Sequence, residues 1–353
     1  MKIAIVKDFF STGRGADRAV AGLANGLAER GHEILIVTVQ DAGTPFSVQF
    51  DPRLQIVRVS ADQVASAADA ADAIVSTGTN EILLLNGVSK PVIQQFHTYP
   101  GSCFKWRHPL RNRAIRKALL NACAVQVLVP SHMDALPRAL RRCAHVIGNW
   151  PTVEPERPGA ATPPEKLIIY PAAFSNEKNQ ALLIRAFASV AKDFPEWHLE
   201  LYGNGNQKQM AKLQRLVKSL DSSIANLQGR VHFMGYQNLA AAYSRCSFLA
   251  FPSRSEGFGL AITEAAAFGK PSIGLATAHG VNELINDCET GILTKPTVSA
   301  FAEGLRRLME DPALCGKLGV QSQSINAKRY SRAQILDKWE SLLVYCAKNS
   351  IMI

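Results

Sequence analysis

Two glutamates with seven residues between them, Glu256 and Glu264, stand in a setting that gives their carboxylates something to do. An apolar run, Phe248–Phe251, leads into a turn holding Glu256, Gly257 and Gly259, and a helix is expected to open near Leu260 and carry Glu264 in its second turn. The two glycines leave the backbone N–H groups from Phe258 to Leu260 uncovered at a helix N-terminus, where an anionic phosphate is held by free donors and by the helix dipole. Carboxylates repel phosphate but accept hydrogen bonds well from sugar hydroxyls. With one carboxylate on the loop and one on the helix, both expected to face the same pocket, the segment reads as a nucleotide-sugar site.

Other residues have types suited to such a ligand. Lys178, after the first apolar run of the second half, is a cation at an expected helix start. Gly15, in the turn Gly13-Arg14-Gly15-Ala16-Asp17, lets backbone approach a ligand beside another helix start. This turn lacks the Gly-x-Gly-x-x-Gly spacing, which argues against a nicotinamide cofactor. His97 lies just past the end of an apolar strand. No Asp-x-Asp occurs in the chain, so the pair expected to hold Mg²⁺ or Mn²⁺ against a diphosphate is missing. No cofactor and no metal are expected.

The context Pro252-Ser-Arg-Ser-Glu-Gly-Phe-Gly-x4-Glu264, followed by Gly269-Lys-Pro and the apolar run Ser272–Leu275, resembles family-four retaining glycosyltransferases of the GT-B fold. The likeness extends over nearly the whole chain. It implies that Glu256 contacts the transferring sugar and Glu264 the ribose, while the amides of Gly257, Phe258, Gly259 and Leu260, with Lys178 and the Gly15 turn, hold the diphosphate. It places His97 beside the donor sugar, and Gly235 and Tyr236 against the nucleotide base. Catalysis would be metal-independent, resting on Glu256, His97 and Lys178. One departure stands out: the family has an Arg where this chain has Ala173, leaving Arg14 and Arg254 as possible compensating cations. That gap makes a catalytically weak or inactive nucleotide-sugar-binding protein the alternative. A UDP-sugar is the expected donor, and the expected acceptor is a lipid-linked molecule or glycan of cell-surface polysaccharide or glycolipid synthesis.

The elements that must position these residues follow from the hydrophobic pattern. Short apolar runs (Ile3–Val6, Ile34–Val39, Ile56–Val59, Ala73–Val75, Val92–Phe96 and Val125–Val129) alternate with helical patterns in the first half. Leu167–Tyr170, Leu199–Tyr202, Val231–Met234, Phe248–Phe251 and Ser272–Leu275 repeat the scheme in the second. Such alternation predicts two doubly wound α/β domains of Rossmann type facing across a cleft. The proline-rich stretch Pro151–Pro164 reads as the linker. The expected domains are 1–155, on the acceptor side, and 156–330, which binds the nucleotide sugar. The helical pattern from 331 onward is expected, by resemblance, to cross back to the first domain.

At 353 residues and 47% hydrophobic content the chain can fill two cores. No apolar run is long enough to span a membrane. Seven cysteines without a Cys-x-x-Cys pair, and a start that does not read as a signal peptide, point to the cytoplasm. The net charge of +10 calls for an anionic partner. From Lys105 to Arg142 there are nine Lys or Arg and one acid, Asp134. Trp106, Arg107, Arg111, Arg113, Arg116 and Lys117, with Leu110, Ile115 and Leu119 at helical spacing, suit a helix lying on an anionic membrane surface at the acceptor side. No nucleic-acid-binding motif occurs, so nucleic acid is not an expected partner.

Overall fold

A computed structural model describes residues 1–10, 13–103, 109–155, 164–221 and 226–349. Two compact units are present: Met1–Thr152 joined by Arg332–Ile353, and Val153–Ser331.

The first unit is built on a parallel sheet of seven strands: β1 (Lys2–Val6), β2 (Glu33–Thr38), β3 (Gln55–Arg58), β4 (Ala73–Ser76), β5 (Val92–Gln95), β6 (Ala124–Val127) and β7 (Ala144–Val146). Their order is β3-β2-β1-β4-β5-β6-β7. In β1, Ile3, Ala4, Ile5 and Val6 are all buried, which explains why an unbroken apolar run rather than an alternating one encodes the strand. Ile3 pairs with Ile34 on one side and Ala73 on the other.

In the second unit the strands are β8 (Leu167–Pro171), β9 (His198–Tyr202), β10 (Val231–Gly235), β11 (Phe248–Phe251), β12 (Ser272–Leu275) and β13 (Gly291–Thr294). They are parallel, in the order β10-β9-β8-β11-β12-β13. Strand order reverses at β1/β4 in one unit and at β8/β11 in the other, and doubly wound sheets bind ligands outside the carboxyl ends of strands at such points.

The last helix, Arg332–Asn349, packs within the first unit. It buries Ile335, Leu336, Trp339, Leu342, Leu343 and Cys346. Gly26, on the helix Gly15–Glu29, makes room for it: a Cβ there would meet the Leu336 methyls at 2.8 and 2.9 Å. Around this contact Arg30 pairs with Asp337 and Glu340, and Arg332 with Glu29.

Candidate functional site

At the β8/β11 reversal, the loop after β8 supplies Lys178 and the loop after β11 supplies Glu256. The two meet directly, Lys178 Nζ lying 2.6 Å from Glu256 Oε2. Both side chains are mostly buried, with relative exposures of 24% and 11%. In such surroundings removing one partner strands the other charge, at a cost of roughly 3–5 kcal/mol. The second carboxylate oxygen, Glu256 Oε1, is enclosed and has no hydrogen-bond partner among the described residues. A buried acceptor left open is an invitation to a donor, and a sugar hydroxyl is one.

The surrounding backbone explains the sequence. The Tyr170 hydroxyl donates to the Lys178 carbonyl at 2.7 Å and lies 2.7 Å from Ser253 Oγ, tying the two loops together beneath the ion pair. Burial, reinforced by the Glu256 charge, holds this phenol protonated well above its ordinary range. Asn179 sits at φ 56°, a left-handed conformation that Gly and Asn tolerate best, so the Lys-Asn pair is a conformational requirement. Glu256 N donates to the His279 carbonyl, and a Cβ on Gly280 would lie 2.8 Å from the Glu256 carbonyl oxygen. Gly259, at φ 90°, caps the helix Leu260–Ala267 without a side-chain hydrogen bond, in keeping with an open N-terminus.

Glu264 does not face an open pocket beside Glu256. It has no accessible surface, and its Oε2 accepts from the buried Tyr243 hydroxyl at 2.9 Å. Tyr243 comes from a different helix, Ala240–Arg245, and stacks on Phe268 with ring centroids 5.5 Å apart. Phe258 is buried edge-on against Tyr330, so its side chain anchors the glycine loop and only its backbone is available to a ligand. Gly235 ends β10 at φ 71° and accepts from Gly203 N, and Tyr236 beyond it is 61% exposed. Ala173 is half-buried, and its carbonyl accepts from the Gln180 side chain. Arg254 is exposed and lies 3.5 Å from Asn179 Oδ1, lining a separate concavity that neither Lys178 nor Glu256 lines.

At the first unit's β1/β4 reversal stands a second group of chemically capable side chains. Lys7, just past β1, lies 3.3 Å from Asp17 Oδ1, and Asp17 Oδ2 accepts from Gly13 N at 3.0 Å, which fixes the glycine turn. Arg14 is the N-cap of the helix that Gly15 begins. His97, after β5, is half-buried, with Nε2 enclosed and without a hydrogen-bond partner among the described residues. Burial, aided by the Lys7 charge, pushes its pKa down to about 3, so the imidazole is neutral. The sequence reading missed Glu81. Buried after β4, it faces Asp8, whose backbone N–H reaches Glu81 Oε1 at 3.4 Å. Burial first and the Asp8 charge second raise its pKa to about 7. The signal was faint: one acid behind Thr77-Gly78-Thr79-Asn80 in a short turn.

Part of the basic segment forms the helix Pro109–Leu120. Trp106 and Arg107 lie outside the described residues. Ile115 and Leu119, expected on the membrane side, are instead fully buried in the unit's own core. Arg111, Arg113, Arg116 and Lys117 are exposed, and the apolar residues beside them are Leu110, 82% exposed, and Leu120, 56% exposed. The core claims one face of the helix and leaves a basic face with a leucine at each end. No helix among the described residues is long and apolar enough to cross a membrane.

Comparison with known proteins gives the arrangement a context. The model of the family described as glycosyl transferases group 1 matches residues 154–324. An exopolysaccharide phosphotransferase of Streptomyces coelicolor is 30% identical over 241 residues, covering 66% of this chain and 25% of the relative. The N-acetylgalactosamine-N,N'-diacetylbacillosaminyl-diphospho-undecaprenol 4-alpha-N-acetylgalactosaminyltransferase of Campylobacter jejuni is 30% identical over 176 residues, covering 49% and 44%. The chain thus spans a quarter to under half of these curated relatives. Among solved structures, Anabaena HepE in complex with UDP-glucose aligns over 98% of this chain and 100% of its own, with a TM-score of 0.83 and 21% identity. The fold is that of the GT-B structures.

Proposed function

We propose, for a chain that belongs to the glycosyl transferases group 1 through residues 154–324, a retaining and metal-independent transfer of a sugar from a UDP-sugar. The acceptor is a glycan or lipid-linked molecule of cell-surface polysaccharide or glycolipid synthesis, and the work is done at the cytoplasmic side. The observation that carries the reading is the Lys178–Glu256 pair, with its open carboxylate oxygen, beside the glycine-opened start of the helix Leu260–Ala267. HepE, of the same fold, was solved with UDP-glucose bound, which supports the choice of donor.

On this reading the donor diphosphate meets the amides from Gly257 to Leu260 and exchanges with Glu256 for the Lys178 ammonium. Glu256, relieved of its ion pair, accepts from the hydroxyls of the sugar being transferred. The acceptor hydroxyl attacks the anomeric carbon from the face that the diphosphate leaves, and a phosphate oxygen takes its proton. The protein's contribution is then positioning and stabilisation of the charge developing on the leaving diphosphate. His97, held neutral, both donates to and accepts from hydroxyls. Glu264 takes the ribose hydroxyls, which requires the cover over it to open as the nucleotide enters, with Tyr243 keeping its carboxylate aimed. Tyr236 lies against the base, and the basic face of the helix Pro109–Leu120 meets an anionic membrane.

Ala173 favours a second reading, a nucleotide-sugar-binding protein with little or no turnover, because one phosphate-neutralising cation of the family is missing. A thermal-shift screen of nucleotide sugars followed by a transfer assay separates the two. Stabilisation by a UDP-sugar with sugar release or transfer that survives EDTA supports the enzyme. Stabilisation without turnover supports the binder, and no stabilisation by any nucleotide sugar rejects both.

A further inference from the structure

Beside the donor loops, a pocket of about 280 Å³ is lined by Asn179, Leu182, Arg185, Arg254, Pro296 and Val298. Its size sits near the lower end of small-molecule sites, ~300–1,000 Å³, so it suits a compact group and not a whole nucleotide sugar. Several observations give it one sign of charge. Arg185 and Arg254 both line it, and among the described residues neither has an ion pair with an acid. Two helices of ordinary length start at its rim, Gln180–Val190 beyond Asn179 and Val298–Glu310 beyond Pro296. The first has no side-chain cap; the Asn179 carbonyl accepts from Leu182 N at 3.0 Å, which leaves the Gln180 and Ala181 amides at the helix start for a ligand. Two guanidinium groups repel each other, and two positive helix ends add to that repulsion, so the arrangement gains most from an anion seated among them. Among the described residues no acidic side chain lines the pocket.

We propose that this pocket binds a phosphate group distinct from the donor diphosphate, gripped by the Arg185 and Arg254 guanidinium forks at the start of the helix Gln180–Val190. Guanidinium forks match phosphate oxygens in pairs, and helix N-terminal amides complete the shell. The proposal rests on the nucleotide-sugar reading only in giving the Lys178–Glu256 face to the donor. It also gives Arg254 an occupation other than replacing the missing Arg at Ala173. The phosphate comes either as an ester, such as one carried by an acceptor, or as the free anion.

Thermal unfolding of the full chain with inorganic phosphate, with sn-glycerol 3-phosphate and with UDP, at matched ionic strength, tests the site. Both phosphate probes are expected to raise the midpoint even when UDP is saturating, because the two sites do not share residues. Arg185→Ala is expected to weaken the phosphate probes at least tenfold and to leave the UDP shift intact. Arg185→Lys should restore binding only in part, since an ammonium lacks the fork. Tighter binding of glycerol 3-phosphate identifies an esterified phosphate as the ligand, and tighter binding of inorganic phosphate identifies the free anion. A phosphate response that disappears under saturating UDP, or that Arg185→Ala leaves unchanged, overturns the proposal. Should UDP fail to stabilise the wild type, the donor reading falls, and the Arg185 comparison still decides the fate of the arginine pocket.

Discussion

Glu256 and Lys178 neutralise each other across 2.6 Å, so neither charge is stranded, and on the proposed reading an arriving donor must part them. Replacing the carboxylate by an amide keeps the shape but gives up the charge-assisted bond to a sugar hydroxyl. Glu256→Gln is therefore expected to keep or tighten UDP affinity, since Lys178 no longer has to leave an ion pair, while lowering kcat by ~10²-fold or more. Isothermal titration with UDP and steady-state kinetics read the two effects separately, and wild-type kinetics would refute the role. Glu81 makes a different kind of prediction. Its folded pKa of about 7 stands above the ordinary 4.5, so the fold favours the protonated carboxyl. The stability this contributes is full below pH 4.5 and is lost as pH rises through 7. Glu81→Gln preserves a donor without a titrating proton, and is expected to be more stable than wild type at pH 8 but not at pH 4. Urea unfolding at the two pH values would show it, and a pH-independent difference would mean that the Asp8–Glu81 contact does not store a proton.

At the scale of elements, both sites depend on loops that leave the carboxyl ends of strands and are shaped by backbone as much as by side chains. Gly280 sits at φ 76° with the Glu256 carbonyl 2.8 Å from where a Cβ would be. Gly280→Ala is expected to cost at least the roughly 1–2 kcal/mol of a left-handed alanine and to weaken UDP-sugar binding by displacing Glu256, seen as a lowered Tm and a raised KM. The basic helix Pro109–Leu120 offers its own test. The triple variant Arg111→Glu, Arg113→Glu, Arg116→Glu should lose co-sedimentation with phosphatidylglycerol vesicles and keep UDP binding. Equal partitioning of variant and wild type would make the face ordinary solvated charge. How far these elements were legible follows from their burial. Central strands such as Ile3–Val6 and Phe248–Phe251 stand out because both faces are covered. Ala144–Val146 and Gly291–Thr294 escaped the sequence reading because each is a sheet edge of three or four residues, one half-buried and containing His145, the other opening on glycine. Lys178 and Glu256 were recognisable from their surroundings, but not their ion pair, which needs two loops brought together. The closure over Glu264 was hidden for the same reason, since Tyr243 lies 21 residues away on another helix. Ile115 and Leu119 had the right spacing for a lipid-facing stripe, and spacing alone does not say which side of a helix meets water.

At the scale of the whole molecule, the first unit is discontinuous in sequence: its strands lie before Thr152, and its closing helix, Arg332–Asn349, comes only after the entire second unit. Trp339, Leu342 and Leu343 belong to its core, as does the Leu336 contact with Gly26. During synthesis the second unit therefore has all of its chain before the first does. The nascent first unit must wait with an uncovered apolar groove along the helix Gly15–Glu29. Such a waiting state is a natural client for a chaperone and a natural point of aggregation. A fragment of residues 1–152 is expected to bind a hydrophobic dye and to associate at micromolar concentration, and a synthetic peptide of residues 332–349 added in trans should suppress both. A fragment that is monomeric and dye-silent alone would show that the groove closes on itself. The order in which the two units become able to fold thus runs opposite to the order in which their first residues are made.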